Sequence, residues 1–203
     1  MQAAATVDFH FNSLVTKISD NEISVTSGGV TTKHTCERII LCNSHNAGAL
    51  MQKQVIEPVY GYSVTFDNVS NFIQDLGSLY YVTAAGKRRL FSRFKGNRIR
   101  LAGLADIGKP DGSEMHERFK FLKDVKDMHS SIEFKNAEEW IGYRPMSPDG
   151  NPIVGRSSTN KHVWWSTGLG NIGYIQSFGA ALKTRDSILH GTESPFSPKR
   201  FGL

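Results

Sequence analysis

Two segments of this chain combine residue types and spacing that could do chemistry. The first is Trp140 to Gly155, W-I-G-Y-R-P-M-S-P-D-G-N-P-I-V-G, with Arg144 at the start of a run of prolines and glycines. Each proline fixes its own φ and restricts the residue before it. An arginine entering such a loop is held in place, with a fork of donors suited to a carboxylate or a phosphate. The second segment is G-L-G-N-I-G, Gly168 to Gly173. It follows an apolar strand-like run and opens an apolar helix-like run. In that context a glycine turn lets backbone N–H groups approach an anionic or polar ligand. Together the segments suggest an anion-anchoring arginine and a cofactor-binding helix start.

Each has a plainer alternative. Arg144 could pair with Asp149 or with backbone carbonyls of its own loop. The glycines could serve only close packing of helix on strand. A complete dinucleotide fold also needs a second strand about twenty residues on, ending in an acidic residue for the ribose. The residues after Gly173 do not supply one, so the turn is not a self-sufficient NAD site. Tyr62, in Gly61-Tyr62-Ser63, reads as a strand residue beside a glycine that permits close approach of something, a neighbouring strand included.

Other chemistries are poorly served. The seven histidines show no metal-ligand spacing and no Ser/His/Asp order, and no G-K-[S/T] phosphate loop is present. Cys36 and Cys42 fit reduced thiols better than a disulfide framework. Net charge is +5, and the basic residues Lys87, Arg88, Arg89, Arg93, Lys95, Arg98 and Arg100 fall close together. On paired strands most of these form a solvated face, so nucleic acid is not expected as a partner. No run is apolar enough for a transmembrane span and no signal peptide is evident, so a cytoplasmic protein is expected, with the inner face of a membrane as a peripheral site.

The positioning elements read as a mixed α/β (α+β) protein with a real core. Val7 to Phe11 alternates as a strand, continued by Leu14, Val15 and Ile18. Glu22 to Thr26 is a second strand, and Ser27-Gly28-Gly29 turns into a third. Arg38 to Cys42 is an apolar strand of the buried kind, with a short helix from Asn46 to Gln52. From Glu57 longer strands follow, over Val59 to Phe66, Leu79 to Thr83, Arg89 to Phe94 and Arg98 to Leu104, the last two joined at Gly96-Asn97. A helix from Ser113 to His129, started by Ser113 and Glu117, repeats Met115, Phe119, Leu122 and Val125. Ile132 to Trp140 is strand, the proline segment is loop, and His162 to Ser166 is strand. A last helix from Asn171 to His190 turns Ile175, Phe178, Leu182 and Leu189 to the core and stops at Gly191. The tail, Ser194 to Phe201, is extended.

At this point the motifs resemble the C-terminal half of a known family, the FAD-dependent D-amino-acid oxidases and dehydrogenases, in particular the small subunit of the bacterial dehydrogenases. Gly61-Tyr62-Ser63-Val64-Thr65 is similar to its G-Y-S-hydrophobic-T strand. Gly96 to Ile107 is similar to G-D-R-I-R-V-G-G-M-A-E-I. Gly142 to Gly155 is nearly G-x-R-P-x-T-P-D-G-x-P-I-[IV]-G, and Thr167 to Gly173 resembles T-G-H-G-x-x-G. The resemblance implies a partial FAD-binding Rossmann-like domain over 1–56, an antiparallel-sheet substrate domain with flanking helices over 57–141, and a C-terminal return to the FAD domain over 142–203.

It also implies roles. Arg144 anchors the substrate carboxylate, with Tyr62 as a second substrate contact. Gly168, Gly170 and Gly173, with the N–H groups of Asn171 and Ile172, face the flavin. The implied reaction is oxidation of a D-amino acid to a 2-oxo acid and ammonia, with an acceptor such as a quinone and no obligatory protein base. The departures are specific. The family's first G-x-G-x-x-G unit has no counterpart, Asn43-Ser44 stands where a glycine turn is usual, and Leu169 replaces a histidine. Weak or absent FAD retention is therefore expected of these 203 residues alone. The alternative reading is a non-catalytic remnant or binding module that needs a separate FAD-domain chain.

Overall fold

The computed structural model describes residues 7–69, 77–82, 86, 88–94, 96–126, 130 and 132–203. The chain runs through β1 (Ser13–Ser19), β2 (Glu22–Ser27), β3 (Val30–Thr35), β4 (Ile39–Leu41) and the short helix α1 (Ala47–Leu50). It continues with β5 (Glu57–Asp67), β6 (Ser78–Val82), β7 (Arg88–Phe94), β8 (Arg98–Ile107) and α2 (Gly112–Lys123). The last elements are β9 (Glu138–Met146), β10 (Ile153–Arg156), β11 (Val163–Thr167) and α3 (Gly173–His190). The expected strand over Leu79 to Thr83 is β6, with Thr83 outside the described residues. Lys87, Lys95 and the expected helical end at His129 also lie outside them. The chain divides into two compact units: residues up to Ile56 with Pro145–Leu203, and Glu57–Arg144.

The first unit holds two three-stranded sheets, ordered β1-β2-β3 and β10-β11-β4. Gly28 and Gly29 both have positive φ and join β2 to β3 in a two-residue hairpin, the turn whose twist matches paired strands. In the second sheet β11 pairs antiparallel with β10 and parallel with β4. Ile39, Leu41, Ile153, Val163 and Trp165 pack with Ala47, Ile56 and Leu203 into one core, against which Ile18 and Ile23 also lie. β4 is less enclosed than its composition suggests: its middle residue, Ile40, is exposed.

The helix α3 overturns one expectation. Ile175, Phe178, Leu182 and Leu189 are 52–73% exposed, and the buried residues are Ala180, Thr184 and Ser187. The small stripe lets the helix lie close to its sheet, and buried Trp164 donates its indole N–H to Ser187 Oγ at 3.2 Å. Periodicity locates a stripe on a helix but does not say which side meets a partner. Gly191 ends the helix in the left-handed conformation, as its type predicts.

The second unit is a five-stranded sheet ordered β6-β7-β8-β5-β9 with α2 on one face. Tyr62, Val64, Phe66, Phe91, Ile99 and Leu101 meet Phe119 and Leu122 of the helix, with Val125 just beyond it. The start of α2 is set by Asp111, not Ser113. The Asp111 carboxylate accepts from Glu114 N–H, and the Glu114 carboxylate accepts from Asp111 N–H, a reciprocal capping box. The other end is capped by Arg89. This arginine is buried, not solvated, and donates to the carbonyls of Phe121 (2.7 Å) and Leu122 (3.2 Å), where the helix dipole favours a cation.

Other expectations also shift. Val7 to Phe11 is not a strand; Phe9 and Phe11 stack on each other in the open. Residues 132–137 are irregular, and the strand runs over Glu138–Met146 instead. Arg144 therefore sits on a strand, not in a loop. β9 is at a sheet edge, the place where a proline such as Pro145 is tolerated because its missing N–H breaks no ladder. The tail is not wholly extended: Pro198–Phe201 makes a turn of 3-10 helix.

Candidate functional site

Arg144 is positioned by two irregularities in the strands beside it. Tyr60 pairs with Asp106 and Tyr62 with Gly103, so Gly61 opposes two residues, Leu104 and Ala105. This is a β-bulge. At its centre Leu104 has φ of 65°, a left-handed conformation that leucine rarely adopts. The Leu104 carbonyl accepts a hydrogen bond from Arg144 Nη1 at 3.4 Å. The guanidinium lies across Gly61, where a Cβ would come within 2.5 Å of both terminal nitrogens. The close approach that Gly61 permits is thus that of Arg144.

Neither plain alternative for Arg144 holds as framed. Its backbone contact is to β8, not to its own segment. Asp149 pairs with Arg200, whose Nε and Nη2 reach its carboxylate at 2.7 and 3.2 Å. Among the described residues no carboxylate pairs with Arg144. Two neighbouring arginines of β8 are differently engaged. Arg98 meets Glu138 at 3.0 Å and Asp67 at 3.6 Å. Arg100 stacks over Phe94 at 4.3 Å and reaches Thr65 Oγ1 at 3.5 Å.

Tyr62 points to the α2 side of the strand, away from the face that Arg144 covers at Gly61. It is 2% exposed, lies edge-on to Phe119 and donates its hydroxyl to Asp106 at 2.7 Å. Asp106 also accepts from Arg118 Nε at 2.8 Å. Burial and then the Asp106 carboxylate push the phenol up to about 12. These contacts tie α2 to the sheet, and strand alternation explains them: Tyr62 points to the helix side, Gly61 to the other.

In the first unit, Gly168 to Gly173 forms the expected turn between β11 and α3. Gly168 has φ of 71° and Gly170 of 58°, so both need the freedom of glycine. Packing adds to this. A Cβ at Gly168 would lie 3.3 Å from Ile153, and one at Gly170 would lie 3.2 Å from Met146 Sδ. The glycines are therefore explained by their own fold before any ligand is considered. The feature that fits an electron-rich ring edge is the helix start. Gly170–Ile172 is a 3-10 turn leading straight into α3, with no side-chain cap and no acidic residue in the first turn. The N–H groups of such a start favour negative charge, and Asn171 and Ile172 are exposed there.

The turn is tied to the end of β4. Thr167 donates its hydroxyl to the carbonyl of Ser44 at 3.0 Å, and Ser44 has φ of 62°. Serine here adopts a glycine-type backbone, at the place where the resemblance has a glycine turn. Leu104 carries no such signal in the sequence. Among the described residues no cluster of His, Cys, Asp or Glu could hold a metal, and no helix is long and apolar enough to cross a membrane.

The chain belongs to the FAD dependent oxidoreductase family, whose model matches residues 1–186. It is similar to the D-amino acid dehydrogenase of Vibrio cholerae serotype O1, 32% identical over 151 residues, covering 73% of this chain and 34% of the relative. It is also similar to the D-amino acid dehydrogenase of Neisseria meningitidis serogroup C, 29% identical over 189 residues, covering 90% of this chain and 44% of the relative. In fold it resembles the glycine oxidase of Geobacillus kaustophilus, with a TM-score of 0.62 and 19% identity over 94% of this chain and 51% of that one. The chain thus spans less than half the length of these curated relatives.

Proposed function

We propose that the chain is part of a D-amino-acid dehydrogenase, oxidising D-amino acids to 2-oxo acids and ammonia. Residues 57–141 form its substrate domain; 1–56 and 142–203 form part of its FAD domain. Arg144 binds the substrate carboxylate through its bidentate fork, and the turn from Gly168 through Gly170, Asn171 and Ile172 to Gly173 meets the flavin. Bound FAD supplies the two-electron acceptor. The chain's own residues orient the substrate and set charge at the helix start, and a quinone is the electron acceptor downstream. The observation that carries this reading is Arg144 itself. It is half-buried, pre-positioned by Gly61 and Leu104, and without a carboxylate partner among the described residues. Arginine held in this way is shaped for a ligand carboxylate.

Completing the FAD site takes a further segment, from the rest of a longer protein or from a separate chain. Supporting this are the exposed apolar stripe of α3 and the edge strand β4, whose middle residue Ile40 is exposed. A non-catalytic module that binds such a chain shares this support and is the alternative. The two separate by measurement. Flavin absorbance and D-alanine-dependent dye reduction, with the completing segment supplied, are expected for the enzyme and absent for the module. Replacing Arg144 by Lys is expected to abolish turnover; unchanged turnover would remove the carboxylate role.

A further inference from the structure

The strand that carries Gly61 also carries a buried hydroxyl that has no hydrogen-bond partner among the described residues. Along β5, Tyr62, Val64 and Phe66 point to α2, so Gly61, Ser63 and Thr65 alternate onto the opposite face. Ser63 is 3% exposed, and among the described residues its Oγ has no hydrogen-bond partner. On the β8 side its ladder neighbours offer none. Directly across the ladder is Ala102, and beyond that Leu90. The Thr65 hydroxyl is reached by Arg100 at 3.5 Å, and Gly61 is covered by Arg144. A buried polar group left unsatisfied is uncommon and costly, and it often marks a place where function needs the group.

We propose that Ser63 is a second substrate contact, its hydroxyl donating a hydrogen bond to the carboxylate that Arg144 holds; this rests on the proposed role of Arg144. The reach is suitable. Two residues along a strand span about 7 Å. A hydrogen bond of about 2.8 Å from the guanidinium and another of similar length from Ser63 bridge that span through one carboxylate. Directly across the ladder on β8 the side chain is small, that of Ala102. Arg144 thus supplies charge and a planar fork, while Ser63 fixes the direction from which the carboxylate enters.

The test uses the full 203-residue chain in three forms: wild type, Ser63→Ala and Arg144→Lys. Each is titrated with D-alanine and with propionate, which keeps the carboxylate and lacks the amine, and binding is followed by NMR shift changes. Thermal unfolding is measured in parallel. Ser63→Ala is expected to weaken both ligands about tenfold, as for loss of one hydrogen bond to a charged group. Its melting temperature is expected to hold or rise, because removing an unpaired buried hydroxyl leaves nothing unsatisfied. A clear drop in melting temperature with unchanged affinity makes the hydroxyl structural and overturns the proposal. Weaker D-alanine but unaltered propionate binding moves the contact to the amine and overturns it too. Weakening by Arg144→Lys with no effect of Ser63→Ala sinks the Ser63 role alone. Failure of wild type to bind either ligand removes the Arg144 reading and this one with it.

Discussion

Gly61 lacks a side chain because Arg144 occupies the space that one would fill: a Cβ there would stand 2.5 Å from the guanidinium nitrogens. The backbone at Gly61 needs no glycine for its torsions, since its φ is not in the left-handed region. The requirement is therefore purely spatial, and it makes position 61 a handle on Arg144. Gly61→Ala is expected to push the guanidinium off the sheet and away from the Leu104 carbonyl. The fold should persist, because the arginine can swing outward, but carboxylate affinity should fall by about tenfold or more, the worth of one charged hydrogen bond. Titration of the variant with propionate checks this. Affinity equal to wild type would mean that the packed position of Arg144 is not its binding position.

Tyr62, one residue on, ties α2 to the sheet. Tyr62→Phe keeps the edge-on contact with Phe119 but removes the bond to Asp106, at an expected cost of about 1 kcal/mol. The loss should depend on pH. The phenol is raised from its ordinary value of 10.0 to about 12, so the folded state holds the proton more tightly than the unfolded state. The contribution is full below pH 10 and is lost as the pH rises from 10 to about 12. Urea midpoints of wild type and variant should therefore converge over that interval, and a constant gap would show that the Asp106 bond is not its source.

The contrast between these neighbours shows what the sequence could and could not convey. Strand alternation was legible over β5, β7 and β8, and so was the hairpin at Gly28-Gly29, because period and turn chemistry are local. The two motifs of the site were legible as residue types in sequence. The setting of Arg144 was not. Pro145 suggests a loop, yet an edge strand accepts it, and edge position is a property of the sheet. The bulge at Leu104 is fixed by tertiary pairing and left no mark in composition. For α3, four large apolar residues outweighed the small stripe Ala180, Thr184 and Ser187 in any periodicity argument. The helix nonetheless packs through the small residues, which fit over Trp164.

Asp149 and Arg200 join the proline segment to the C-terminal turn within the first unit. Arg200 grips both carboxylate oxygens and also donates to the carbonyls of Pro152 (2.9 Å) and Phe196 (2.7 Å). The Arg200 hydrogen bonds hold the Asp149 carboxyl well below the usual carboxylate range. A depressed pKa means that this stabilisation is present above the ordinary aspartate value and is lost as the pH falls below about 4. Asp149→Asn should therefore lower the urea midpoint at pH 7, and the gap to wild type should narrow on acidification. Arg200→Ala should in addition expose residues 194–203 to limited proteolysis. Protection equal to wild type would show that the other contacts of the tail suffice.

Ser44 offers a prediction of opposite sign. Its φ of 62° places a residue with a Cβ in a region that glycine enters without steric cost. The carbonyl is held there by the Thr167 hydroxyl, at the base of the turn that leads into α3. Nothing in that arrangement uses the serine side chain, because the bond is made by its backbone. Ser44→Gly is therefore expected to relieve strain and stabilise the chain, by up to about 1 kcal/mol after the greater freedom of glycine in the unfolded state is subtracted. Thr167→Val should act the other way, since it releases the carbonyl and lets the end of β4 relax. The pair should be strongly non-additive. With glycine at 44 the left-handed turn no longer depends on being held, so Thr167→Val should cost less in that background than in wild type. A double-mutant cycle by urea unfolding measures this coupling; strictly additive effects would mean that Thr167 does not maintain the turn at Ser44.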